Sequence, residues 1–117
     1  MTEIEIRNET IELKYFSGVD DVARGVFATR PVDPEFTEEI VVGVYADDSE
    51  TMGFPAELEG VALQISIAGS ARALDELGRF LIALARAESL DPDPHEHFEE
   101  IRDERGGNLH LIIRLRR

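Results

Sequence analysis

The run Asp91-Pro92-Asp93-Pro94-His95-Glu96-His97 gathers imidazoles and carboxylates into one short stretch. In an extended chain, residues two apart project from the same side. His95 and His97 therefore share a face, and Asp93 can join them. His110 lies on the next alternating run and can approach across a hairpin. Two or three imidazoles with a carboxylate make a donor set suited to Zn²⁺ or a similar divalent ion. A metal-binding site on His95, His97, His110 and Asp93 is one expectation. The alternative is a proline-stiffened entry into an edge strand whose histidines face water.

The other chemistry-bearing residues are carboxylates. The net charge is -13, and residues 1–60 carry 15 Asp/Glu against 4 Lys/Arg, whereas residues 61–117 carry 10 against 8. Adjacent acids recur at Asp20-Asp21, Glu38-Glu39, Asp47-Asp48 and Glu99-Glu100. Acid–base catalysis needs a carboxylate pair in a dry cleft with separated pKa values, and adjacent acids in turns are usually solvated. No serine sits in a nucleophile-elbow context, and Gly106-Gly107 opens no strand-to-helix phosphate loop. The absence of cysteine removes thiol nucleophiles, thiolate metal sites and disulfides. The expectation is a non-enzymatic protein without a cofactor.

So acidic a first half projects a negative field, which suits a basic protein partner. Asp20, Asp21, Glu38, Glu39, Asp47 and Asp48 are the expected contacts. Direct nucleic-acid binding is not expected, because phosphate requires a basic stripe. A second explanation is salt adaptation: the chain has one lysine and eleven arginines, and an acidic surface keeps proteins soluble in a saline cytoplasm. On that reading the chain is a self-associating domain.

At 117 residues the chain is expected to form one domain spanning 1–117. The segment Met1-Thr2-Glu3-Ile4-Glu5-Ile6 lacks the basic start and apolar run of a secretion signal. No apolar stretch approaches the roughly 20 residues that span a bilayer. A soluble cytoplasmic protein without membrane contact is expected.

Alternation predicts a first hairpin, with Ile4, Ile6, Ile11 and Leu13 on one face and Asn8-Glu9 as its turn. Glu5 opposite Glu12 is a like-charge pair within it. Further strands are predicted at Val22–Thr29, Ile40–Ala46, Thr51–Leu58, Val61–Ala68, His95–Ile101 and Leu109–Leu115. Ser70 is a good N-cap for one helix over about 70–88, with Leu74, Leu77, Leu81 and Leu84 as its apolar stripe. Asp91-Pro92-Asp93-Pro94 stops it. The fold class expected is α+β: a mostly antiparallel sheet of about six to seven strands with one main helix on one face. A helix of about 18 residues is about 27 Å long and cannot cover both faces of so wide a sheet. Either the first hairpin folds over the second face or a partner buries it, so a homodimer is expected.

The second half carries a further pattern. Ile65-Ser66-Ile67-Ala68-Gly69-Ser70, then Leu74, Leu77, Leu81 and Leu84, then the strand bearing His95 and His97, follow one another in order. This strand, glycine turn, leucine helix and histidine strand over residues 61–115 resembles the immunity protein 32 family of bacterial polymorphic-toxin systems. The resemblance implies a protein that neutralises a toxin made beside it. A nuclease toxin is basic where it grips phosphate, so an acidic inhibitor can occlude that surface and associate fast through steering.

Overall fold

The computed structural model describes residues 2–34, 36, 38–46, 63–104 and 106–116. The elements run β1 (Tyr15–Phe16), β2 (Arg30–Pro31), β3 (Ile40–Ala46), β4 (Leu63–Gly69), α1 (Ala71–Ala85), β5 (His95–Asp103) and β6 (Asn108–Arg114), with a 3₁₀ turn at Val22–Arg24. β1 and β2 form a small antiparallel pair. The main sheet has the order β4-β3-β5-β6.

The fold is α+β with one main helix, as expected, but the sheet is mixed. β3 pairs antiparallel with β4, β5 pairs antiparallel with β6, and β3 runs parallel to β5. The reason lies in α1. It follows β4, and the next strand settles beside β3 rather than β4, so a crossover replaces a hairpin at the centre of the sheet. The expectation of six to seven mostly antiparallel strands is corrected accordingly.

The second half follows its sequence pattern closely. Ser70 is extended, and its Oγ accepts from the Ala73 N–H at 3.1 Å. Gly69 leaves room for the core to begin, since a Cβ there would sit 2.7 Å from Ile40 Cδ1 on β3 and 3.3 Å from Ala73 Cβ on α1. α1 buries Ala73, Leu77, Phe80, Ala83 and Leu84. Leu74 and Leu81 stay 44% and 42% exposed, so the apolar face is rotated away from the expected leucine stripe. The large Phe80 ring sets that rotation by packing edge-on against Phe98, with centroids 5.6 Å apart. Ile40, Val42, Phe98 and Ile101 form the sheet's side of this core, with Leu109, Leu111 and Ile113 of β6 half-buried beside them. Each large side chain so buried contributes roughly 1.5–3 kcal/mol. Gly106, at φ 84°, turns the chain between β5 and β6.

The first half departs from expectation. Residues 2–14 form no strand, and Ile4 and Ile6 are 91% and 81% exposed. Two features oppose the hairpin. Asn8-Glu9 lacks the glycine that a tight primed turn favours, and Glu5 would face Glu12. Val22–Thr29 is likewise no strand; its start is the 3₁₀ turn, closed by Gly25 at φ 69°. The strand expected at Thr51–Leu58 lies outside the described residues. Among the described residues, no element covers the sheet face opposite α1.

Candidate functional site

β3 and β5 overlap only at their ends, where Val41 meets Arg102 and Val42 meets Asp103. Upstream of that overlap, Asp33, Pro34, Phe36, Glu38 and Glu39 lie beside β5 without forming a paired strand. Pro34 has no N–H to give a ladder, which keeps this stretch off the strand. The gap is a groove of about 650 Å³. Asp33, Glu38 and Glu39 line one wall, and Glu96 and Glu99 line the other. Phe36 and Phe98 supply apolar surface between them, their ring centroids 5.9 Å apart.

Glu96 is the most constrained of these acids. It lies on the same face of β5 as Phe98 and pairs in register with Ile113. Burial raises its carboxyl above the ordinary 4.5, and a hydrogen bond with Asp33 and that group's charge raise it further. The His97 N–H, 3.1 Å from Glu96 Oε1, and the Arg30 guanidinium, 3.9 Å from Oε2, act the other way. A cation entering the groove would favour the ionised form and lower this carboxyl again.

Of the acids expected from sequence, Glu38 and Glu39 reach the groove. Glu38 also accepts a hydrogen bond from the Ser70 hydroxyl, at the positive end of α1. Asp20 and Asp21 lie elsewhere and hold their own loop together. Asp20 Oδ1 accepts from the Ala28 N–H at 2.7 Å. Asp21 caps the 3₁₀ turn through the Arg24 N–H and pairs with the Arg24 guanidinium at 3.5 Å. Asp47 and Asp48 lie outside the described residues. Sequence reasoning missed Asp33, Phe36, Glu96 and Glu99 as a set. Period-two alternation puts Glu96 and Phe98 on one face of β5, but the register shift between Phe98 and Ile101 interrupts it at Glu99, so no local pattern announced the set.

The histidines do come together, on the open face of β5 and β6. His97 Nδ1 lies 2.9 Å from His110 Nε2, and the His95 and His97 rings are 4.9 Å apart. The His95 Nδ1–H donates to the Asp93 carbonyl oxygen at 2.6 Å. The Asp93 carboxylate accepts from Arg114 Nε at 2.8 Å. Among the described residues, no set of three or more His, Asp or Glu side chains is arranged to hold a metal ion. His97 and His110 spend ring nitrogens on each other, and Arg114 occupies an oxygen of Asp93.

Comparison with known families places the second half in context. The family described as immunity protein 32 matches residues 64–114, the C-terminal half whose pattern resembled it. The matched stretch runs from β4 through α1 and β5 to the end of β6. No curated protein and no solved structure matches the chain. One wall of the groove, Glu96 and Glu99, falls within the matched stretch. The other, Asp33, Glu38 and Glu39, precedes it. No helix among the described residues is long and apolar enough to cross a membrane.

Proposed function

We propose that this chain is an immunity protein: a non-enzymatic, cytoplasmic binding protein that neutralises a toxin made beside it. The observation that carries this reading is the immunity-family match across β4, α1, β5 and β6. The groove supports the nature of the contact. Five carboxylates around two phenylalanines offer opposite charge and an apolar anchor to an arginine- or lysine-bearing segment. Guanidinium groups suit both surfaces, because they pair with carboxylates and stack on aromatic rings. The partner is accordingly a basic protein, with a nuclease toxin as the natural kind.

The test is protection in cells. The protein encoded beside this chain is expressed under an inducible promoter, alone and together with the chain. The expected result is arrested growth alone, restored growth in combination, and co-purification of the two proteins. A toxic neighbour that neither binds the chain nor is neutralised by it would contradict the reading.

A further inference from the structure

The exposed arm formed by residues 2–7 and the outer edge of β6 complement each other. The arm alternates, with Ile4 and Ile6 on one side and Glu3 and Glu5 on the other. Among the described residues, β6 pairs only with β5, so its other edge offers unpaired N–H and C=O groups. β6 also alternates: Leu109, Leu111 and Ile113 are half-buried toward α1, and His110, Ile112 and Arg114 face outward. No proline or lysine blunts this edge.

We propose that residues 2–7 of one copy add as a strand to the free edge of β6 on a second copy, and reciprocally, giving a two-fold symmetric dimer. Because the side-chain period is two, one alternation of register satisfies both faces. Ile4 and Ile6 extend the half-buried row of Leu109, Leu111 and Ile113. Glu3 and Glu5 then lie on the outward face with Arg114, where opposite charges on neighbouring strands attract. Seating the arm on a second copy accounts for its position in the single chain. Tyr15 anchors the arm's base through its hydroxyl, which donates to the Ala83 carbonyl at 2.9 Å, while the isoleucines stand off their own sheet. Each copy supplies one arm and one edge, so the contact closes on itself.

The cysteine-free chain makes the test direct. Copies carrying only Glu5→Cys are mixed with copies carrying only Ile112→Cys and oxidised, and mass is measured by sedimentation equilibrium on the unmodified chain. The expected results are an inter-chain disulfide in the mixture and a mass of two chains. Removal of residues 2–8 should give one-chain mass with an unchanged circular dichroism spectrum. Ile4→Asp with Ile6→Asp should weaken association by at least about tenfold. A single-chain mass for the unmodified protein at its highest soluble concentration would overturn the proposal. So would a dimer that survives loss of the arm, or the absence of a disulfide between the two kinds of copy in the oxidised mixture.

Discussion

The two halves of this molecule contrast in how sequence becomes structure. Residues 64–114 carry charges of both signs and fold as regular strands around a helix. Residues 2–39 are strongly acidic, and the described ones among them form only two short strand pieces and a 3₁₀ turn. Both halves contain clear two-residue alternation. It yields a strand in β6, where Leu109, Leu111 and Ile113 find Phe98 and Ile101 to pack against. It yields none around Ile4 and Ile6, which meet no apolar surface among the described residues and stay exposed. Alternation states which side chains share a face; burial decides whether a strand forms.

The sharpest test of this contrast is paired truncation. Phe98→Ala should destabilise the chain by about 3–5 kcal/mol, because it opens a cavity against Phe80 and Phe36. Ile6→Ala in the single chain should change stability by less than about 0.5 kcal/mol. Urea unfolding at low protein concentration measures both, and comparable losses would break the distinction. Next in size are the local devices of the regular half. Ser70→Ala should cost about 1 kcal/mol through the lost helix cap, and Gly106→Ala about 1 kcal/mol through its positive φ.

The smallest effect concerns Glu96 and has a definite sign. Its carboxyl is raised, so the folded chain holds that proton more tightly than the unfolded chain does. The resulting stabilisation is full below the ordinary value of 4.5 and is lost as pH rises through the raised one. Glu96→Gln removes the ionised form, so it should raise the urea midpoint near neutral pH and leave it unchanged near about pH 3. A lowered midpoint at neutral pH would show that the ionised carboxylate instead contributes through Arg30.

These elements also show what could be read from residues alone. The single helix, its Ser70 cap, its end before Asp91, the strands β3 to β6 and the glycine turn at Gly106 were all legible. Each is written in local periodicity and turn chemistry. The parallel pairing of β3 with β5 was not, because nothing local states which strand follows a crossover to which neighbour. The candidate site was half legible for the same reason. Glu38 and Glu39 stood out as an acidic pair, and the three histidines as a cluster. The joining of Asp33 and Phe36 to Glu96 and Glu99 depends on where the overlap of β3 and β5 begins. The commitments of Asp20 to Ala28 and of Asp93 to Arg114 are likewise tertiary facts.

The central claim is that the carboxylates of the groove hold a basic partner. The direct measurement is calorimetric titration of the chain with the protein encoded beside it, at about 0.05 M and about 0.5 M salt. The unmodified chain is compared with one carrying Glu38→Gln, Glu39→Gln, Glu96→Gln and Glu99→Gln together. The account predicts tight binding that weakens with salt, and a large loss of affinity and of salt dependence in the substituted chain. Equal affinity for the two chains at both salt concentrations would contradict it.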